Sequence, residues 1–399
     1  MSQSYSQFSS HELDTQTERI EIKKGKCALQ IGMPKENSFE EKRVCLSPDS
    51  VADLTNQGHE IIIETNAGVL AGFSDNEYAE SGAQISYDKA QVFGCRIVLK
   101  VEPPTQEEIE LLKPHSFLFS ALQLKTRSKS YFESLEKKRI TAIAFDNIKD
   151  EHNNYPIVSS LSEIAGAASI QIAAELLAGT QRSSGHLFGN IAGVPPTEVV
   201  IIGAGRVGEY AAKAAIGLGA YVKVFDDSIT RLQNLQSKID QPIFTATCQP
   251  KLLLKSLMRC HVAIGALKGK SRCPIIVTET MVENMKEDAV IIDIGIDRGG
   301  NFETSEITSH SKPCFKKHGV IHYGVPNIPS KYAKTATIAL SNILSPYLTQ
   351  IAEQGGVENS LRHDIGLQNG IYLYRGILTN KSIGDWYDLP FRDLNLLML

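Results

Sequence analysis

Three glycines at positions 203, 205 and 208 stand in the order G-x-G-x-x-G within EVVIIGAGRVGEYAA. An apolar β-branched run precedes them and a helix-compatible run follows, which gives each glycine a separate task. Gly203 permits the tight turn out of the strand, Gly205 lets a pyrophosphate approach the backbone, and Gly208 lets the helix pack closely on the strand. The helix start then offers N–H donors and the positive end of its dipole to an anion. Ala204 and Val207 occupy positions within this loop. Asp226 ends the next strand, VKVFDD, 23 residues after Gly203, where a carboxylate grips ribose hydroxyls and repels a 2′-phosphate. NAD is therefore expected rather than NADP, with Asp227 as an alternative holder of the role. Ala266 and Leu267, at the end of HVAIGAL, are expected at the same cofactor site.

Such a loop needs a sheet and helices to position it. CALQIGMP reads as a strand, PDSVADLTNQG as a helix ending at Gly58, and HEIIIET as a second strand. Strands RIVLKV, SFLFSALQL (116–124) and ITAIAFD follow, with EEIELLK and SYFESLEKK as helices between them. This alternation predicts a mainly parallel, helix-covered sheet. A second series, VVIIG, YVKVFDD, HVAIGAL, AVIIDIGI and VIHYGV, predicts a second doubly wound unit. Two long helices bracket it. SEIAGAASIQIAAELL is expected to open at Ser162 and Glu163, and SKYAKTATIALSNILSPYLTQIAEQG to kink or break at Pro346. The fold class is thus α/β with two Rossmann-like doubly wound domains, the NAD-binding one (158–330) inserted into a substrate domain (21–157 and 331–399). The aromatic carboxy-terminal extension is expected to pack on a neighbouring domain or subunit.

The 399 residues carry a net charge of -4 with both signs mixed, which gives no field for nucleic acid or anionic lipid. Seven cysteines without a C-x-x-C pair suggest neither a disulfide framework nor a zinc site, and no metal is expected. Residues 1–20 are polar and read as a disordered tail without a secretory signal. No apolar run is expected to approach the ~20 residues that span a bilayer, so a cytoplasmic protein is expected.

GMPKE, FEEKRVCLSPDSVADLTNQGHEIIIE, the SEIAG helix, GVPPTEVVIIGAGRVGEYAA, DIGIDRGGNFE and VPNIPS resemble, in that order, the alanine dehydrogenase and transhydrogenase alpha-subunit family over about residues 28–355. The resemblance implies oxidation of alanine, or a related small amino acid, to its 2-oxo acid and ammonium with NAD, by a dimer or hexamer. By the same resemblance Arg43 holds the substrate carboxylate, for which a guanidinium's bidentate geometry is suited. Asp297 matches the catalytic aspartate, Asn327 an asparagine near substrate and nicotinamide, and Ser162 a serine of the nucleotide domain.

Two positions depart from that pattern. The family's K-V-K-E-P is LKVEPP here, so its substrate-binding lysine aligns with Glu102, or with a deletion. Its catalytic histidine aligns with Gln123, which exchanges hydrogen bonds but does not titrate near neutrality. On an extended strand Gln123 and Lys125 share a face, which would let Lys125 supply the missing ammonium. His115, before that strand, is a remoter acid–base candidate. Two other readings follow: a saccharopine-type N-substituted amino acid as substrate, or an NAD(H)-binding, transhydrogenase-like or regulatory protein without amino-acid turnover.

Overall fold

The computed structural model describes residues 26–124, 127–179, 185–269 and 272–398. The polar amino-terminal tail and Lys125 lie outside them. Fifteen strands among the described residues form two sheets. In chain order they are β1 (Gln30–Met33), β2 (Glu60–Glu64), β3 (Gln84–Ser86), β4 (Ile97–Leu99), β5 (Phe117–Ser120), β6 (Thr141–Ala144), β7 (Glu198–Ile202) and β8 (Tyr221–Phe225). Then come β9 (Phe244–Ala246), β10 (Val262–Gly265), β11 (Val290–Asp293), β12 (Cys314–Lys317), β13 (Val320–Tyr323), β14 (Ile371–Tyr374) and β15 (Ile377–Leu378).

The first sheet has the order β15-β14-β6-β5-β4-β1-β2-β3 and the second β12-β13-β11-β10-β7-β8-β9. Strands from both ends of the chain share the first sheet, so the second unit is an insertion. β1 to β6 pair in parallel, as do β7 to β11 and β13. Antiparallel pairing occurs where the chain doubles back: β12 on β13, β14 on β6, and β15 on β14. The carboxy-terminal extension therefore closes the edge of the first sheet, beside β6. Strands buried on both faces read as continuous apolar runs, and β5, β6, β10, β11 and β13 are buried at every residue.

Three local expectations are corrected. The first bracketing helix runs Pro156–Leu177, opening with proline at its first turn rather than at Ser162. Ser162 lies inside it and turns its hydroxyl back to the Val158 carbonyl, 2.6 Å away. That helix is also long and apolar enough to cross a bilayer by length and composition, with mean hydropathy 1.4, contrary to the sequence reading. Its Ile157, Ile170, Ile172 and Leu177 are nevertheless buried within the protein, and Gly166 lets the Arg206–Gly217 helix approach so closely that a Cβ would lie 2.3 Å from the Val207 carbonyl oxygen. The second long helix, Ala333–Glu353, passes through Pro346 without ending. Pro346 and Asn342, whose carbonyl loses its helical partner, are both exposed and open to water, while Leu340, Leu344, Leu348 and Ile351 hold the opposite face in the core.

The third concerns SFLFSALQL. β5 ends at Ser120, and Gln123 has a left-handed backbone, φ 45°. The chain leaves the sheet at its carboxyl edge there, so the extended geometry that would align Gln123 with Lys125 is absent at Gln123. His115, also left-handed at φ 63°, sits in an exposed turn before β5, at the opposite end of the strand from Gln123.

Candidate active site

The glycine loop is held by backbone crowding. A Cβ on Gly203, φ 117°, would lie 2.7 Å from the Ala266 carbonyl and 2.8 Å from the Leu267 nitrogen, so the loop after β7 leans directly on the loop after β10. On Gly208 a Cβ would stand 1.8 Å from the Gly203 carbonyl oxygen. Gly205, the N-cap of the Arg206–Gly217 helix, has open space where its Cβ would be. The two crowded glycines close the turn and the third faces a vacant volume at a helix amino terminus, which suits a pyrophosphate.

Asp226 is buried beneath this loop. Its Oδ2 accepts from the Ala204 N–H at 2.8 Å and its Oδ1 from the Ser228 N–H at 2.8 Å, with the Arg231 guanidinium 3.7 Å away. Asp227 is exposed and accepts from the Cys248 N–H at 3.0 Å. The Leu267 N–H donates to the Asn301 side chain at 3.0 Å.

Asp297 lies in the short Ile296–Arg298 turn after β11, half exposed, with the Arg298 Nε 3.6 Å from its carboxylate. The loop takes its shape from Asp293, whose Oδ2 accepts the N–H groups of Asn301 at 2.7 Å and Phe302 at 3.1 Å. Gly299 and Gly300, both at positive φ, make the return.

In the first unit the charges are paired and buried. Arg43 makes a two-pronged contact with Glu41, Nε to Oε1 at 2.7 Å and Nη2 to Oε2 at 2.6 Å. Glu41 Oε2 also accepts from Asn327 Nδ2 at 2.9 Å, so Asn327 meets Arg43 through a shared carboxylate. Burial opposes ionisation of Glu41, but the Arg43 guanidinium prevails and holds its carboxyl below the usual range. The segment is stitched to the end of the second series: His310 N–H donates to Glu40 at 2.9 Å, and Lys42 N–H to the Ser330 hydroxyl at 2.9 Å. His310 Nε2 lies 3.0 Å from the Asn327 carbonyl, and burial lowers its pKa.

Glu102 stands at the carboxyl edge beyond β4, half buried. Burial first, then the Glu41 charge, raises its pKa, against Lys100, Arg127 and Arg43. The cation absent at position 102 has a buried neighbour two residues earlier. Lys100 places its Nζ 2.5 Å from Glu36 Oε2 and 3.8 Å from Glu108. Burial pushes the Glu36 carboxyl up to about 7 in spite of that lysine.

The fold thus brings Arg43, Glu41 and Asn327 into direct contact, with Glu102 in the same electrostatic neighbourhood. It brings the glycine loop together with Asp226, Ala266 and Leu267. Gln123 is exposed on its own loop and Ser162 is committed to its helix. Sequence reasoning passed over Glu36, Glu41, Lys100, His310 and Asp146. The only signal for them is charge inside otherwise apolar or motif-dense stretches, such as LKV and FEEKRV.

Comparison with known proteins gives a consistent result. Residues 32–165 match the family profile described as alanine dehydrogenase/PNT, N-terminal domain, and residues 169–381 the corresponding C-terminal domain. The chain is 39% identical over 366 residues to alanine dehydrogenase of Staphylococcus saprophyticus, covering 91% of this chain and 98% of that one. It is 36% identical to alanine dehydrogenase 2 of Staphylococcus aureus, covering 92% and 98%. A solved L-alanine dehydrogenase superposes with a TM-score of 0.85 at 35% identity, covering 90% and 99%. A transhydrogenase from Sinorhizobium meliloti shares the fold, with a TM-score of 0.75 at 22% identity, covering 88% and 99%.

Proposed function

The chain belongs to the alanine dehydrogenase/PNT family, and from that premise we propose that it is an NAD-dependent dehydrogenase that interconverts L-alanine, or a related small amino acid, with its 2-oxo acid and ammonium. The observation that carries this reading is the open volume at Gly205, at the start of a helix and above the buried Asp226, within a chain whose first unit carries Arg43 in the loop after β1. When bound, NAD supplies the hydride acceptor.

The residues divide the remaining work. Gly203, Ala204, Gly205, Val207 and Gly208 form the seat for the pyrophosphate, and Asp226 rigidifies it while facing the ribose. Ala266, Leu267 and Ser162 flank the cofactor. Arg43 receives the substrate carboxylate on the edge of its guanidinium that Glu41 leaves unused, a placement that fixes the α-carbon. Asn327 and Glu102 border that position. Asp297 handles charge at the substrate nitrogen, and Gln123 directs hydrogen bonds to the reacting carbonyl oxygen. We further read the protein as a cytoplasmic homo-oligomer, for which the exposed Trp386 and Leu396 of the carboxy-terminal extension offer contact surface.

A second reading, an NAD(H)-binding protein without amino-acid turnover, draws support from Gln123, whose amide carries no titratable proton. A saccharopine-type substrate is a further alternative. The deciding assay is NADH oxidation with pyruvate and ammonium, run beside 2-oxoglutarate with lysine and repeated with Asp297→Asn. Dependence on both pyruvate and ammonium, lost in the variant, supports alanine chemistry. A flat trace with NADH binding intact supports the second reading.

A further inference from the structure

Asp146 is a partly buried carboxylate, one oxygen of which the fold encloses and leaves unused. It sits in the Phe145–Asn147 turn directly after β6, at the carboxyl edge of the first sheet. Its Oδ1 is fully buried and has no hydrogen-bond partner among the described residues. The Leu122 N–H, one residue before Gln123, acts on the same carboxylate to favour its charged form, so Asp146 lies against the loop that carries Gln123. From the second unit, Arg298 and Lys268 are the cations whose field reaches it. Lys268 also interacts with Asp297, which ties the two aspartates to one neighbourhood between the units. Tyr372 on β14 is a further titratable group that feels the Asp146 charge. Burial raises the Asp146 carboxyl above the usual range, against the backbone N–H groups of Asp146 and Leu122.

A buried carboxylate oxygen without a donor is costly, and folds seldom retain one unless something else bonds to it. An amino acid brings a suitable donor, its nitrogen. Gln123 beside it offers hydrogen bonds but no acid–base capacity.

We propose that Asp146 is a catalytic acid–base residue that bonds to the substrate nitrogen and moves the proton in the hydrolytic half of deamination. This rests on the dehydrogenase reading above. Oxidation of the amino acid leaves an iminium, to whose carbon a water oxygen adds. As that C–O bond forms, Asp146 takes one proton from the water, giving a neutral-amine carbinolamine. It returns the proton to the nitrogen. The C–N bond then breaks with its electron pair passing to nitrogen, while the O–H pair becomes the second bond of the new carbonyl. The hydroxyl proton leaves with the nitrogen as ammonium, and Asp146 ends as the carboxylate it began as.

The test compares wild type, Asp146→Asn and Asp146→Glu in kcat and kcat/KM across pH, with thermal unfolding and NADH fluorescence titration beside them. We expect Asp146→Asn to lower kcat by about 10²- to 10⁴-fold, to remove one ionisation from the profile, and to keep NADH affinity. Asp146→Glu should recover part of the rate and the ionisation. Calorimetry of pyruvate binding to the NADH-bound protein, in two buffers of different ionisation enthalpy, should show proton uptake in wild type and none in Asp146→Asn. Wild-type kcat in Asp146→Asn, or a fall that leaves both the pH profile and the proton uptake unchanged, overturns the proposal while the dehydrogenase reading stands. A wild type that binds NADH but turns over no amino or 2-oxo acid overturns both.

Discussion

The glycine loop after β7 and the charged cluster around Arg43 are both fitted to anions, yet they are built in opposite ways. The loop works with backbone N–H groups and empty space, and one buried side chain, Asp226, braces it. The cluster works with full charges, Arg43 on Glu41 and Lys100 on Glu36, all taken out of water. The N–H groups at a helix start carry only partial charge and stay open until an anion meets them, so they cost little to keep. Buried ions must be paired to persist, and each is exposed to the loss of its partner. The first region should therefore fail through shape and the second through charge.

The sharpest test of that contrast is Arg43→Ala. It strands Glu41 without its guanidinium, and we expect a loss of roughly 3–5 kcal/mol in urea unfolding, together with loss of 2-oxo acid saturation in kinetics. Arg43 and Glu41 replaced together should recover much of that stability but not the saturation. Gly208→Ala attacks shape alone: the added carbon cannot coexist with the Gly203 carbonyl oxygen. NADH affinity by fluorescence titration should fall about 100-fold or more, equivalent to roughly 2.7 kcal/mol. Asp226→Ala leaves the Ala204 and Ser228 N–H groups without their acceptor, a loss of roughly 1–3 kcal/mol that should appear in NADH binding and in weaker discrimination against NADPH.

A smaller effect comes from Glu36. Its carboxyl is raised from 4.5 to about 7, so within that window the native chain holds a proton that the unfolded chain has released. Its contribution to stability is present at the acid end and declines as pH rises through the window. Glu36→Gln should flatten that decline in thermal unfolding measured from about pH 4.5 to 7. The smallest effect concerns Ser162, whose hydroxyl is spent on its own helix. Ser162→Ala should change stability by less than about 0.5 kcal/mol, and a tenfold loss of NADH affinity would show that its hydroxyl bonds to the cofactor rather than only flanking it.

The same contrast governs what could be read in advance. The nucleotide loop was legible because its parts are contiguous: strand, three glycines and helix lie within fifteen residues of EVVIIGAGRVGEYAA, and each glycine has a local reason. Both sheets were legible for the same reason, as apolar runs separated by helical ones. What failed did so where distant contacts overrule local signals. The helix does not break at Pro346, one of the two outcomes expected there, because the buried face opposite holds it, and Ser162 is not a cap because Pro156 starts the helix a turn and a half earlier. β5 ends before Gln123, where the backbone turns left-handed at the sheet edge, so the extended geometry expected at Gln123 is absent, while Lys125 lies outside the described residues.

The sequence by itself determined the α/β class, the insertion of one unit into the other, the glycine loop and the acidic strand end beneath it. These depend on periodicity and on backbone permission, both written in neighbouring residues. The tertiary structure alone decided that Arg43 is already gripped by Glu41, whose carboxylate also accepts from Asn327, 286 residues beyond it. It alone brought Lys100 to Glu36 and left one Asp146 oxygen without a partner among the described residues. Whether a charge is paired, buried or unpartnered depends on which distant groups the fold places against it, and no local pattern encodes that.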